Sequence, residues 1–180
     1  GNWAARAACP RSQNYEISVD TNNHERLYAG TKDNQHIRTK AGLPNDWHEV
    51  LDGGDGFEVV ADRDDPNTAW AMLQLGRLFR VDGLFAPPGF PQPFATAGQG
   101  IPDEDPKNWN TPFVIDPWDH GVFYYGTNKV YRTLSRVQIN APWEAISPDL
   151  TKGLGYEKIG TLTKITLAPS NPDVIYAGTD

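Results

Sequence analysis

Ala168-Pro169-Ser170-Asn171-Pro172-Asp173-Val174-Ile175-Tyr176-Ala177-Gly178-Thr179-Asp180 closes the 180-residue sequence, and versions of it have already occurred three times. Asp20-Thr21-Asn22-Asn23 leads to Leu27-Tyr28-Ala29-Gly30-Thr31, Asp62-Arg63-Asp64-Asp65-Pro66-Asn67 to Ala69-Trp70-Ala71-Met72, and Asp116-Pro117-Trp118-Asp119 to Phe123-Tyr124-Tyr125-Gly126-Thr127. The anchors Asp20, Asp62, Asp116 and Ala168 lie 42, 54 and 52 residues apart. That period is at or just above the length of a propeller blade, and well above that of helical-pair or leucine-rich repeats. Within each copy a strand runs into a polar turn and a second strand follows. Proline sets φ at such a bend, while Asn and Asp side chains bond the local backbone and reverse the chain.

Alternation supports strands. Tyr15, Ile17 and Val19 alternate with Glu16 and Ser18, which predicts one buried face carrying the three apolar side chains. Helices are disfavoured because 17 Gly and 15 Pro interrupt nearly every apolar run at helical spacing.

The fold class expected is all-β, a β-propeller of four-stranded antiparallel blades. About three and a half blades fall in the sequence: an irregular lead-in over 1–13, blade 1 over 14–52, blade 2 with long loops over 53–110, blade 3 over 111–160 and half of blade 4 over 161–180. Blade 1 reads as strands 14–19, 26–31, 36–40 and 47–51, and blade 2 as 57–61, 68–74, 77–81 and 94–97 after a proline-rich loop. Blade 3 reads as 111–115, 122–126, 129–134 and 143–147, and the half blade as 162–167 and 174–179. The sequence starts at Gly1 without Met and stops as the second strand of the fourth copy ends. A piece of a longer array, truncated, cleaved or completed by another chain, is therefore expected.

Composition narrows the partners. A net charge of −7 supplies no basic stripe for phosphates, which speaks against nucleic acid and anionic membranes. No apolar run has the roughly 20 residues of a spanning helix, so membrane insertion is not expected. Cys9 is the sole cysteine, which excludes an internal disulfide and any multi-cysteine metal site. His24, His36, His48 and His120 show no ligand spacing, and neither a metal nor a cofactor is expected.

Blade topology sorts the loops by face. If each first strand runs from top to bottom, the links from second to third strand and from blade to blade share the top, and the Pro-Asn turns lie below. Top-face binding candidates are Asp33, Asn34, Gly53, Gly54, Asp55, Gln74 and Asn128, with the loops 98–110 and 149–160 beside them. Hydrolysis of a glycosidic bond needs two carboxylates roughly 5–10 Å apart, a role open to Asp33 with Asp55. The commoner role for an Asp among glycines is to satisfy turn donors and permit positive φ. Asp103-Glu104-Asp105 offers oxygens to a hard cation, but it reads first as an exposed acidic connection. Phe85, Phe90, Trp109, Trp118 and Tyr156 fall in loops, where they can stack on sugar rings or seal blade joints.

Further phrases carry a family likeness: Gln13-Asn14-Tyr15 through Gly30-Thr31-Lys32-Asp33-Asn34, then Trp47 through Gly53-Gly54-Asp55-Gly56-Phe57, and Asp65-Pro66-Asn67. They continue in Gly126-Thr127-Asn128-Lys129-Val130-Tyr131-Arg132 and Trp143-Glu144-Ala145-Ile146-Ser147-Pro148-Asp149-Leu150-Thr151. In these the sequence resembles bacterial proteins with BNR or Asp-box repeats, similar to the N-terminal propeller of sortilin and the tandem propellers of xyloglucan hydrolases. The Asp-box pattern Ser-x-Asp-x-Gly-x-x-Trp is eroded to 39–47 and 133–143, which keep only the closing Trp47 and Trp143. The resemblance implies a propeller located outside the cytoplasm. The leading expectation is a non-catalytic segment that binds a protein or glycan through its top-face loops. The alternatives are a glycoside hydrolase and a structural subunit of a larger assembly.

Overall fold

The computed structural model describes residues 13–41, 46–51, 53–86, 94–134, 142–151 and 160–180. The lead-in with Trp3 and Cys9, part of the turn before Asp46, the proline-rich stretch 87–93 with Phe90, and residues 152–159 with Tyr156 lie outside them. Fourteen strands occur among the described residues, and no helix there is long and apolar enough to cross a membrane.

The strands form antiparallel meanders in which sequence neighbours pair. Sheet 1 is β1 (Asn14–Val19), β2 (Leu27–Thr31), β3 (His36–Thr39) and β4 (Trp47–Leu51). Sheet 2 is β5 (Gly56–Ala61), β6 (Ala69–Leu73), β7 (Arg77–Val81) and β8 (Phe94–Thr96). Sheet 3 is β9 (Phe113–Ile115), β10 (Phe123–Gly126), β11 (Val130–Thr133) and β12 (Glu144–Ala145); sheet 4 is the pair β13 (Leu162–Leu167) and β14 (Ile175–Thr179).

The repeated turn has one hydrogen-bonding scheme. Asp20 N–H donates to Arg26 O, Asp62 N–H to Thr68 O, Asp116 N–H to Val122 O and Ala168 N–H to Val174 O, at 2.9–3.0 Å. In the first three copies the buried anchor carboxylate also accepts the N–H two residues on, at Asn22, Asp64 and Trp118, 2.7–2.8 Å away. The phenol groups of Tyr28 and Tyr124 donate to Asp20 and Asp116 from eight residues on. The strand–turn–strand unit thus closes on itself, and the only anchor without a carboxylate is Ala168.

Sheets stack in chain order, and each junction is one apolar cluster. Tyr28, Val50 and Leu51 meet Val59, Ala61 and Phe79 between sheets 1 and 2. Trp70, Met72 and Leu78 meet Phe113, Phe123 and Tyr125 between sheets 2 and 3; Val122, Tyr124 and Val130 meet Leu162, Ile165 and Leu167 between sheets 3 and 4. Sheets 1 and 2 touch through backbone: a Cβ on Gly30 would stand 1.9 Å from the Phe57 carbonyl oxygen, and one on Gly56 2.1 Å from that of Gln35. The first strands converge, and Glu16, Glu58, Val114 and Lys164 line one small cavity of about 50 Å³.

Two expectations need correction. The alternation of β1 is real, but Tyr15, Ile17 and Val19 are its exposed side, while Ser18 turns toward sheet 2 and its hydroxyl donates to the Val59 carbonyl. A period of two identifies two faces without saying which one a neighbouring sheet covers. The connection 98–110 is only partly exposed: Ile101 and Asp105 are buried, and Trp143 donates its indole N–H to Ala97 O at 2.7 Å beside it.

Candidate functional site

The links from second to third strand and from sheet to sheet meet at one end of the stack. Asp33 N–H donates to Asp55 Oδ1 at 2.8 Å, Gln35 N–H to Gly54 O at 3.1 Å, and Gly53 N–H to Gln35 Oε1 at 3.0 Å. Gln74 lays its amide on Gly54, where a Cβ would come within 2.8 Å of both Nε2 and Oε1, and its buried Oε1 has no hydrogen-bond partner among the described residues. The repeat turns meet at the other end, where Asn22 Nδ2 donates to Asp62 O and His120 pairs with Asp64.

Six of the candidate residues, Asp33, Asn34, Gly53, Gly54, Asp55 and Gln74, therefore share one rim. Asp55 uses one carboxylate oxygen to cap the turn that carries Asp33. Asn128 occupies the corresponding β10–β11 link of sheet 3 and is buried there, with Nδ2 donating to Asp149 Oδ2 at 2.9 Å. The rim holds the backbone in uncommon conformations: Asp33, Gln35 and Leu75 all have φ near +60° without being glycine. Each such residue costs on the order of 1–3 kcal/mol, and such strain collects where geometry serves a ligand.

An aromatic platform adjoins the rim. Buried Phe57 has Tyr15 on one side, ring centroids 4.7 Å apart, and Trp109 on another at 6.4 Å edge-on. Tyr15 and Trp109 are themselves exposed. Leu75 N–H donates to Trp109 O at 3.1 Å, so the strained turn holds the loop that carries the indole. Beyond Leu75 opens a groove of about 830 Å³, with Leu78 and Ile101 on its floor and Arg77, Gln99, Asp103 and Lys107 around it. Trp109 was legible in the sequence as a loop aromatic. Tyr15 was not, because its place in an alternating strand assigned it to the core.

The groove wall is held by Asp105. Its carboxylate accepts from Lys129 Nζ at 3.0 and 3.2 Å and from the Tyr131 phenol. Burial by itself would raise this carboxyl; the bonds from Tyr131 and Lys129 outweigh it and hold it below the ordinary range, while burial and Asp105 push the Tyr131 phenol up. Lys107 Nζ caps the carbonyls of Pro102 and Asp105 at 2.9 and 3.0 Å. The acidic loop is thus a staple, and among the described residues no cluster of three or more metal-ligating side chains occurs. In the cavity between the first strands, burial and then the neighbouring Glu16 raise Glu58 to about 7, with Lys164 pulling the other way.

The fold and this rim define an all-β protein of propeller-like stacked sheets with an aromatic platform and groove at one end. In the solved structures the chain is similar to the crystal structure of a GH74 enzyme from Niastella koreensis, with a TM-score of 0.61 and 14% identity over 92% of this chain. It spans 26% of that protein's length, and the likeness is one of fold. No family model and no curated protein matches the chain.

Proposed function

We propose that this chain is part of a β-propeller that binds an extended glycan along the rim and groove, outside the cytoplasm. The observation that carries the reading is the exposed pair Tyr15 and Trp109 around Phe57, beside Asp55 and Gln74 and continuous over Leu75 with the groove. Sugar rings present a C–H face that stacks on aromatic rings, and hydroxyls that a rim of carboxylate, amide and guanidinium groups can bond. A groove of about 830 Å³ has room for more than one ring, which suits a chain of sugars better than a single one. The fold likeness to a GH74 enzyme favours carbohydrate over a protein ligand.

The test is affinity electrophoresis of the protein through gels containing a panel of soluble β-glucans. Retardation by at least one glucan is expected, with Trp109→Ala weakening it about fivefold, in line with a stacking energy of about 1 kcal/mol. No retardation by any glycan sinks the reading. A second reading, hydrolysis, is favoured by the same fold likeness. Release of reducing ends from the panel would establish it, with loss on Asp55→Asn assigning Asp55 to the chemistry.

A further inference from the structure

Sheets 1, 2 and 3 carry one arginine in common and differ in what meets its charge. Across the second and third strands Tyr28 pairs with Arg38, Trp70 with Arg80 and Tyr124 with Arg132. In sheet 2 the guanidinium meets Asp82, Nε to Oδ1 at 2.7 Å, and in sheet 3 it meets Glu144 at 3.7 Å. The place of Asp82, two residues past the arginine, is taken in sheet 1 by Lys40, and the place of Glu144, across from the arginine on the fourth strand, by His48. Basic side chains thus stand where both carboxylates stood. Sheet 1 adds a further cation, because six residues past the anchor it has Arg26 where sheets 2 and 3 have Thr68 and Val122.

Arg38 is also the buried one of the three arginines, 2% exposed, and its Nε and Nη1 have no hydrogen-bond partner among the described residues; nor has Arg26 Nε. The Arg26 and Arg38 guanidinium carbons lie 4.1 and 4.4 Å from the centre of the same Phe85 ring, which gathers them without neutralising either. The nearby carboxylates are already engaged. Asp20 accepts the Asn22 N–H and the Tyr28 phenol and stands 3.6 Å from Arg26, while Asp46 accepts the N–H groups of Lys40 and Ala41 and pairs with His48. Three fixed cations therefore face two carboxylates before His48 is counted, and a buried charge without a partner is costly.

We propose that Arg26, Arg38, Lys40 and His48 form a binding site for an oxyanion, the phosphate, sulfate or carboxylate group of a ligand, at the edge of the junction between sheets 1 and 2. The group meets the partly exposed Arg26, Lys40 and His48 at the surface, with the charge of Arg38 beneath. Guanidinium forks match the paired oxygens of such groups. Arg26 N–H donates to Asn23 O and Leu84 N–H to Asn67 O, so the cluster lies at the end where the repeat turns meet, and it stands apart from the glycan reading of the rim.

The test is isothermal titration calorimetry of the intact protein with inorganic phosphate, sulfate and acetate in turn, at an ionic strength held constant with chloride. Saturable binding of at least one of the three is expected. Arg38→Met and Arg26→Gln should each weaken it at least about tenfold, the loss of one charge-assisted interaction. Lys32→Gln, which removes an exposed charge near the rim, should leave it unchanged. Arg26→Gln, at a partly exposed position, reads the site even where Arg38→Met does not fold. No saturable binding, or binding that survives the arginine substitutions, overturns the proposal and leaves the two arginines as a stack on Phe85. An equal loss in Lys32→Gln overturns it too, since the anion would then answer to net charge alone.

Discussion

His36 and Glu58 stand on adjacent sheets and move stability in opposite directions with pH. Burial lowers the His36 imidazole from 6.5 to about 4; Nε2–H donates to the Met72 carbonyl at 2.8 Å, and Nδ1 is buried without a partner among the described residues. As pH falls from 6.5 toward 4 the unfolded chain takes up that proton first, so about 3 kcal/mol of stability is lost on acidification. Glu58, raised from 4.5 to about 7, keeps its proton longer in the folded state. Its contribution is present in full below 4.5 and is lost as pH rises to 7, again by about 3 kcal/mol. The two slopes cancel between 4.5 and 6.5, and the wild-type urea midpoint should be nearly flat there. Glu58→Gln removes one slope, and its midpoint should climb from pH 4 to 6.5 and exceed wild type at pH 8; a profile parallel to wild type would refute the pairing. Gly30 makes the other prediction at this scale. Gly30→Ala drives a methyl into the Phe57 carbonyl, backbone that cannot swing aside, and should cost about 3 kcal/mol in a denaturant titration.

Among the elements, the repeat turn does most to set the architecture, and its anchor carboxylate is the part to remove. Asp116 Oδ1 accepts from Trp118 and Asp119 N–H, and Oδ2 from the Tyr124 phenol. Asp116→Ala strands those donors at a buried site and should lower stability by about 2 kcal/mol in thermal unfolding, whereas Asp116→Asn, which keeps an acceptor at Oδ1, should lose less. Equal losses would place the effect in packing instead. This element was also the most legible part of the sequence, because the turn is local: four similar phrases give the four strand pairs, and the strands begin and end within about two residues of the expected places. Non-local matters were hidden. Which side of β1 is covered depends on a neighbouring sheet, so Tyr15 and Ile17 were misassigned. The meeting of Glu16 with Glu58 needed the copies aligned, where both stand four residues before their anchors. The rim was legible as a set of loops on one face, whereas its strained Leu75 and the Asp105 staple depend on contacts across sheets.

At the scale of the whole molecule, protection should follow how many faces of each sheet are covered. Sheet 2 is packed on both faces, by the cluster around Tyr28 and Val59 and by that around Trp70 and Phe113; sheet 3 is packed on both by the latter and by the cluster around Tyr124 and Ile165. Among the described residues, sheet 1 and the pair β13–β14 have one such cluster each, and β14 has a strand on only one side. Local opening costs least where the fewest apolar contacts must be broken. Amide exchange followed by mass spectrometry on the 180-residue chain should therefore find β6 and β10 slowest, β2 faster and β14 fastest. A β14 that exchanges as slowly as β6 in the 180-residue chain alone would mean that the sheets open together as one unit, and that stability is not divided among the junctions.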